Sequence, residues 1–512
     1  MKIDRNEKQN LIGRLQARNV GRKLRGAVVP ALVCCCLAFV GLGPTAEVYA
    51  QVQSVDTRIG KLDFELGVPT QPTVKNLYDQ MDFQRACQLY IWALPVVEFG
   101  NLLAILEGTT GAKPGDLTIY KGNEQSVFLT PNATTPYIFA YLDLAKTGPV
   151  VMDIPPGGIA GSALDAWQRA LSDLGMTGPD QGKGGKYVFV GPGQEAPTAQ
   201  GAFVLRSPTF GVVLFYRTLD PDQAKGEALA RRIRIYPWAQ RENPPAIRFL
   251  KPDPDKFANF VTMPRGMKYW DQLAAMIQLE PVEDRDRFFM AMLKPLGIEK
   301  GKPFQPDERQ TKILTEGAFV GEAMAKANTF DMRFPNIRYR PDTLWQYFLI
   351  LDPMQDLPNY SELDERGAYF YAALLVTKGM RSQTPGVGQA YLGSFRDKKG
   401  HAFDGAQTYH LRVPPNVPAK QFWSVTLYDV DTRSIILNEQ HRGQLGSRED
   451  IAKNADGSVD VYFGPTSPKG FEKKWIQTVP GRAWFVGFRF YAPTEAYFDK
   501  SWPLPDVQKV ER

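Results

Sequence analysis

The spacing of apolar residues predicts a β-rich region at the start of the body of the chain. One helix is predicted from Thr73 to about Leu106, where apolar residues recur near helical spacing. After it, short apolar runs bounded by Gly and Pro predict strands at residues 137–142, 150–154, 186–190 and 211–216. Several short strands separated by turn residues are typical of a sandwich. We therefore predict an N-terminal β-sandwich domain over residues 51–250, opened by a helix.

The pattern changes in the middle of the chain and then changes back. Helical spacing predicts helices from Gly266 to Glu280, from Val282 to Leu293, and from Pro306 to about Asn328, within a mainly helical domain over 251–380. Over residues 381–512, strands are predicted at 408–413, 422–428, 459–463 and 483–491. This part fits a second sandwich or a jelly roll. The predicted fold class is multidomain and mainly β, with a helical block between two β regions.

The first fifty residues have the three parts of a secretory signal peptide. Eight Lys or Arg residues precede an uncharged stretch of 17 residues, Ala27 to Gly43. That stretch is shorter than the roughly 20 apolar residues of a membrane-spanning helix. Val48 and Ala50 suit a signal peptidase site, so we predict cleavage after Ala50 and a periplasmic or secreted protein with no membrane span after leader removal. An uncleaved N-terminal anchor is the alternative reading.

The leader also holds most of the charge and most of the cysteines. It carries a net charge of +5 out of +6 for the whole chain, so the remaining chain is near +1. A nearly neutral protein has no general field to attract a polyanion, and we predict no nucleic-acid partner. Three of the four cysteines belong to the leader, which leaves Cys87 alone. One thiol cannot form an internal disulfide, so packing must stabilise the fold.

Sequence motifs for common chemistries are missing. The chain has no Gly-x-Ser-x-Gly, Ser-x-x-Lys or His-Glu-x-x-His pattern, and no complete phosphate-binding loop. Its three histidines, His401, His410 and His441, are too far apart in sequence to form the closely spaced pair of a cupin metal site. We predict neither a metal site nor a cofactor.

Polar residues inside apolar strands are more informative. In residues 484–491, period-two alternation places Arg489 and Tyr491 on one face together with Phe485 and Gly487. If that face is buried, the guanidinium must be paired, because an unpaired buried charge is costly. A structural carboxylate such as Asp429 and an anionic ligand are the two alternatives.

Two further segments have polar groups that suit a ligand or simply the fold. In residues 422–429, Trp423 shares one face with Val425 and Leu427, and Tyr428 shares the other with two hydroxyl residues. Such a lining suits either a small-molecule cavity or a sandwich core. In residues 131–137, the side chains of Asn132, Thr135 and Tyr137 either contact a ligand or close a turn.

Several stretches of the chain resemble one family. They include residues 90–95, 129–137, 142–144, 148–151, 264–270, 384–393, 422–429, 454–465, 475–481 and 499–502. In these stretches the chain is similar to exported proteins that pair the domains of unknown function 1254 (N-terminal) and 1214 (C-terminal). The resemblance implies an immunoglobulin-like sandwich, a helical domain and a C-terminal jelly roll, and no assigned reaction. Family members often have Asn-x-Asp-Thr where this chain has residues 132–135 without the Asp, which removes a carboxylate from that loop.

Two functions follow as expectations. The first is a periplasmic hydrolase acting on a small molecule in an inter-domain cleft, with Asp143 or Asp429 as acid–base residue and Arg489 or Tyr491 stabilising charge. The second is a non-catalytic protein that binds a small molecule, a glycan or an envelope partner. Its predicted binding residues are Trp92, Asn132, Thr135, Tyr137, Tyr391, Trp423 and Tyr428. A pocket with convergent carboxylates favours the enzyme, and an aromatic pocket without them favours binding. The oligomeric state is left open.

Overall fold

The computed structural model of the protein describes residues 53–511. The predicted signal peptide and its cleavage site lie outside these residues. Residues 53–70 belong to a unit of their own and form a small antiparallel sheet. Its strands are Gln53–Thr57 (β1), Gly60–Glu65 (β2) and Val68–Pro69 (β3).

The second unit begins with one long helix, Gln71–Thr110 (α1), which confirms the helix predicted from Thr73. Among the described residues it is the one helix long and apolar enough to cross a membrane, but 83% of its most apolar window is buried inside the protein. Burial also raises the pKa of the Cys87 thiol on this helix to about 11. The helix is therefore a core element of the fold.

Two sheets follow α1 and share one apolar core. Their strands and connecting helices are Leu117–Tyr120 (β4), Tyr137–Asp143 (β5), Leu144–Thr147 (α2), Val150–Ile154 (β6), Ile159–Asp165 (β7), Ala170–Gly175 (β8), Gly185–Val190 (β9), Phe203–Arg206 (β10), Gly211–Thr218 (β11), Gln223–Ala230 (α3), Arg234–Pro237 (β12) and Phe249–Leu250 (β13). One sheet has the strand order β13-β4-β5-β11-β7-β8 and the other the order β10-β9-β6-β12. The predicted strands at 137–142, 150–154, 186–190 and 211–216 are confirmed as β5, β6, β9 and β11.

A helical block packs around α1. It contains Met267–Leu279 (α4), Arg287–Leu293 (α5), Glu308–Phe330 (α6) and Leu363–Ala372 (α7). Two small residues allow α6 to approach α1 closely, because a Cβ on Gly317 or Gly321 would lie 2.4 or 2.5 Å from the Cβ of Ala86 or Tyr90. The three helices predicted between 266 and 328 are thus confirmed in type, although the second begins as a short 3-10 turn.

The elements of the C-terminal part are Gln346–Tyr347 (β14), Asp356–Leu357 (β15), Tyr360–Ser361 (β16), Gln389–Ser394 (β17), Phe403–Asp404 (β18), Tyr409–Val413 (β19), Ala419–Asp429 (β20), Gln444–Gly446 (β21), Val459–Gly464 (β22), Trp475–Gln477 (β23), Ala483–Pro493 (β24), Glu495–Phe498 (α8) and Gln508–Lys509 (β25). Two sheets share a common core: one has the order β14-β17-β24-β20-β21 with β18 paired to β24, and the other the order β23-β22-β19-β25. The short strands β15 and β16 pair with each other. The predicted strands of this part are confirmed as β19, β20, β22 and β24.

The two large sheets, one containing β5 and β11 and the other containing β20 and β24, are each buried on both faces. In β24, Trp484, Val486, Phe488 and Phe490 enter the C-terminal core, whereas the alternate residues turn away from it. In β5 and β11, the alternate residues Tyr137, Phe139, Val213 and Phe215 join the core of the helical block. The outer faces of the two sheets therefore both meet the helical region, and a site can form there.

Glu98 on α1 makes the stability of this core depend on pH. Burial raises the pKa of its carboxyl well above the usual range, against the opposing effect of the Arg433 cation, and Tyr90 and Tyr269 are its other titratable neighbours. Its Oε1 has no hydrogen-bond partner. A carboxyl with a raised folded-state pKa contributes most to stability below its unfolded pKa near 4.5, and the contribution falls as the pH rises toward the folded-state value.

We expect Glu98→Gln to stabilise the protein at pH 7.5 and to leave it unchanged near pH 4. Between the unfolded-state and folded-state pKa of Glu98, the free energy of unfolding of the wild-type protein falls by about 1.4 kcal/mol per pH unit. The amide of the variant does not titrate, so the variant does not lose this stability. Urea unfolding at several pH values measures the free energy of unfolding of both proteins, and Glu316→Gln at an exposed position of α6 is the control. A less stable Glu98→Gln protein at pH 7.5 would show instead that the carboxylate is ionised and stabilised by Arg433.

Candidate functional site

A cavity of about 40 Å³ lies where the outer faces of the two large sheets meet the helical region. We call it the arginine cavity. Its walls come from β5, β11, β17 and β24 and from the segments around residues 130, 348 and 369–380. The lining residues are Leu129, Thr130, Tyr137, Phe215, Arg217, Phe348, Tyr369, Ala373, Leu374, Leu375, Met380, Tyr391 and Arg489.

Arg489 enters the cavity from the middle of β24 because the strand alternation points it away from the C-terminal core. Only 7% of the residue is exposed. Its Nη2 donates to the carbonyl oxygen of Thr130 at 2.6 Å and to the hydroxyl of Tyr428 at 2.8 Å. The guanidinium carbon lies 5.1 Å from the ring centre of Tyr391. Its Nε has no hydrogen-bond partner, and both acceptors of its Nη2 are uncharged.

Arg217 enters the same cavity from the end of β11 and is 5% exposed. Its guanidinium carbon lies 5.6 Å from the ring centre of Phe215. Both terminal nitrogens of Arg217 have an acceptor when the amide oxygen of Gln389 faces them, because Nη1 and Nη2 then lie 3.0 and 3.2 Å from that oxygen. In this orientation the Gln389 amide nitrogen donates to Tyr391. The Nε of Arg217 has no partner, as in Arg489.

Tyrosines surround the two guanidinium groups. Burial raises the pKa of Tyr391, Tyr428 and Tyr491, and nearby arginines oppose the shift, so all three stay neutral at ordinary pH. Tyr428 donates to the carbonyl oxygen of Pro131 at 2.9 Å while accepting from Arg489. The ring of Tyr491 stacks on Phe422 at 3.7 Å, and its hydroxyl has no hydrogen-bond partner. These rings offer hydroxyl groups but no negative charge.

The electrostatic character of the cavity follows from these residues. Two arginines line it, and no Asp, Glu, His, Cys or Lys does. Asp429, the sequence-based alternative as partner of Arg489, instead accepts from Nε of Arg482 at 2.5 Å. Buried guanidinium groups without a counter-charge are costly. Arginine also presents paired N–H groups that match an oxyanion. The arrangement therefore suits a small anion.

The structure brings five of the predicted site residues together here. Tyr137, Tyr391 and Arg489 line the cavity, and Tyr428 and Tyr491 adjoin Arg489. Two others support its wall. The backbone N–H of Asn132 donates to the hydroxyl of Tyr137 at 3.0 Å, and the side-chain oxygen of Asn132 accepts from Thr135, which closes the turn.

The other four predicted residues lie elsewhere. Trp92 belongs to α1 and is buried against α5, and Trp423 belongs to the C-terminal core. Asp143 caps α2, forms an ion pair with Lys146 and borders a cavity of about 280 Å³. Asp429 accepts from the backbone of Asp431 and Thr432 and borders a cleft of about 960 Å³. The two carboxylates proposed for acid–base chemistry thus border different cavities.

Sequence reasoning missed Arg217, Gln389 and Tyr369. The predicted strand at 211–216 ended one residue before Arg217, although the same alternation that singled out Arg489 places Arg217 on the face of Phe215. Gln389 and Tyr369 have no local signal. For metals, residues 53–511 contain no group of three His, Cys, Asp or Glu residues placed to hold an ion.

Two family models match the chain. Residues 115–237 match the family described as protein of unknown function (DUF1254), and residues 388–495 match the family described as protein of unknown function (DUF1214). Arg217 and Tyr137 lie in the first match, and Arg489, Gln389 and Tyr391 lie in the second. Each domain therefore contributes one arginine to the cavity.

Solved structures give a similarity in fold. The crystal structure of the VPA0106 protein from Vibrio parahaemolyticus is 18% identical, with a TM-score of 0.52, and the alignment covers 84% of this chain and 100% of that one. An uncharacterized protein from Burkholderia cenocepacia is 12% identical with a TM-score of 0.36, over 86% of this chain and 97% of that one. No curated protein matches the chain.

Proposed function

The chain belongs to the proteins that join a DUF1254 domain to a DUF1214 domain, and from its two buried arginines we propose that it binds a small carboxylate. The observation that carries this proposal is the pairing of Arg217 and Arg489 in one cavity without a protein carboxylate. A bound carboxylate accepts from the unpartnered N–H groups and supplies the missing counter-charge. Because each domain supplies one arginine, the ligand also stabilises their association.

The size of the cavity limits the ligand. One water needs roughly 10–15 Å³ of such space, so a cavity of about 40 Å³ has room for a group of three or four non-hydrogen atoms. A carboxylate with a short apolar substituent fits this volume. The apolar wall, which includes Leu129, Ala373 and Leu375, suits that substituent.

Of the two functions expected from the sequence, the geometry supports binding better than hydrolysis. General acid–base catalysis needs a titrating group beside the substrate. Asp143 and Asp429 border other cavities, and the arginine cavity is aromatic and cationic. The proposal therefore takes Arg489 and Tyr491 as ligand-binding residues and not as catalytic ones.

The proposal includes a compartment and a domain description that rest on the sequence. The leader supports export, which places the binding activity in the periplasm or outside the cell. The shared core of each pair of sheets supports an immunoglobulin-like sandwich before the helical block and a jelly roll after it. The arginine cavity then lies between the two.

Calorimetric titration with acetate and acetamide tests the proposal. The two molecules have nearly the same shape, so a site built for charge should bind acetate and reject the amide. Arg217→Met should weaken acetate binding at least ~30-fold, because truncating one side of a buried charge pair costs about 2–5 kcal/mol. It should not destabilise the free protein, since an apolar residue replaces an unneutralised buried cation.

The matched control is Arg231→Met directly after α3, which removes an arginine that pairs with Glu227 of that helix at the surface. Its acetate affinity should equal that of the wild-type protein. Equal affinities for acetate and acetamide, or an Arg217→Met protein that binds acetate normally, would contradict the proposal.

A further inference from the structure

A second and much larger opening has no role in the proposed function. We call it the large cleft; it has a volume of about 960 Å³. Its walls come from the 3-10 turn at 122–127, from the segment before and at the start of α4, and from the loop that follows β20. Thr262 holds two of these walls together by donating to the carbonyl oxygen of Thr432 at 2.6 Å. Ligand pockets of 300–1,000 Å³ are typical of small-molecule sites.

One part of the large cleft is apolar. Phe257, Phe260, Val261 and Met263 line one wall, and Ile435, Ile436 and Leu437 line the other. Val261 and Leu437 are exposed at this surface, and Leu437 is 68% exposed. Phe260 rests on the bare backbone of α1, because a Cβ on Gly108 would lie 1.9 Å from its ring. The wall therefore has the apolar character that contacts an alkyl chain.

The charged residues of the large cleft are unequally neutralised. Arg265 pairs with Glu322 and Asp431 at 3.1 and 3.0 Å, and Arg482 pairs with Asp429. Glu124, the third carboxylate of the lining, accepts from the backbone N–H of Lys121 on the wall formed by the 3-10 turn and forms no ion pair with a cation of the described residues. Two cations of the lining are also outside any ion pair. Among the ion pairs of residues 53–511, none includes Lys268 or Arg433, both of which line the cleft.

Arg433 is the more significant of the two because it is only 1% exposed. Its Nε donates to the carbonyl oxygen of Tyr371 at 3.1 Å, and its Nη1 donates to that of Asp431. Its Nη2 has only the sulfur of Met263 as a partner, at 3.6 Å. A thioether is a weak acceptor. The guanidinium group stacks on Tyr371, at 4.3 Å, and its Nη2 is matched only weakly by the protein. Asp431 and Glu98 lie within electrostatic reach of it, but neither forms an ion pair with it.

We propose that the large cleft binds a single-chain amphiphile with a carboxylate head group. The head group accepts from Arg433 at the base and Lys268 at the edge, and the chain lies along the wall formed by Phe257, Phe260, Val261 and Leu437. Charge complementarity selects the anion, and the volume accommodates a chain that the arginine cavity is too small to hold. The site is distinct from the proposed function and stands without it.

Titration of the Arg217→Met protein with dodecanoate tests this site, because that background removes the expected carboxylate binding in the arginine cavity. Affinity should rise about fourfold for each methylene between octanoate and dodecanoate, as burial of a chain predicts. Leu437→Glu and Lys268→Glu should each weaken dodecanoate binding at least tenfold. Both positions are exposed, so these variants test the site without disturbing the core around Arg433.

The control is Phe319→Glu, which places the same charge on a residue of α6 that is 76% exposed and outside the cleft. Its dodecanoate affinity should not change. Three results would overturn the proposal: dodecyltrimethylammonium binding as tightly as dodecanoate, no dependence on chain length, or equal effects of Leu437→Glu and Phe319→Glu. A wild-type protein that binds dodecanoate but not acetate would instead count against the arginine cavity alone.

Discussion

Arg489→Met should abolish the stabilisation of the protein by acetate. A ligand at 100 times its Kd adds about 2.7 kcal/mol to the free energy of unfolding of the protein that binds it. Arg489 is buried, donates to Thr130 and Tyr428, and keeps an unpartnered N–H group in the cavity. Its replacement by an apolar side chain of similar length should weaken acetate binding by about 10²–10³-fold. Urea unfolding with and without acetate measures both quantities.

The same substitution at Arg412 is the control for this experiment. Arg412 lies in the same part of the chain but forms an exposed pair with Asp456. Arg412→Met should keep the full response to acetate. If Arg489→Met kept it as well, Arg489 would be a structural residue whose charge the fold tolerates, and the proposed function would have to be abandoned.

The sequence predicted Arg489 and Tyr491 correctly as residues on one face of a strand. Period-two alternation in residues 484–491 depends only on backbone geometry, so it holds whatever packs on either side. The same reasoning located most of the long strands and the helices at 73–106, 266–280 and 306–328. These elements have strong periodicity because each buries a continuous apolar stripe.

Weakly patterned strands were missed for a physical reason. β7 contains Ala160, Gly161 and Ser162, which are poor strand formers. The structure requires the glycine, because a Cβ on Gly161 would lie 2.2 Å from the carbonyl oxygen of Phe215 on the adjacent strand. The close approach of two backbones therefore requires a glycine here, and this part of the sequence lacks the apolar pattern that predicts a strand.

The composition of the arginine cavity could not be predicted because it depends on contacts between residues that are far apart in sequence. Arg217 and Arg489 meet only because the outer faces of β11 and β24 both turn toward the helical region. Alternation within one strand says which residues share a face, but not what covers that face. For the same reason, the sequence offers Asp143 and Asp429 as alternative acid–base residues of one cleft, although they end different strands and border different cavities.

Trp92→Ala should be among the most destabilising substitutions in the protein, with a cost of about 3–5 kcal/mol in the free energy of unfolding. The Trp92 ring is fully buried, stacks on Phe289 at 4.8 Å and contacts Trp167 at the same distance. Its indole N–H donates to Asp286 at 3.2 Å. Truncation leaves a large void and removes a donor from a buried carboxylate.

The acetate affinity of the folded Trp92→Ala protein decides between the two roles considered for this residue. Trp92 does not line the arginine cavity, so acetate affinity at a temperature where the variant is folded should be unchanged. Phe319→Ala, at an exposed aromatic position, should change stability by no more than ~0.5 kcal/mol. A Trp92→Ala protein of nearly normal stability that no longer bound acetate would return Trp92 to the binding site. If the variant loses stability but keeps its acetate affinity, Trp92 is a core residue. The apolar run on one long helix is then sufficient to position it.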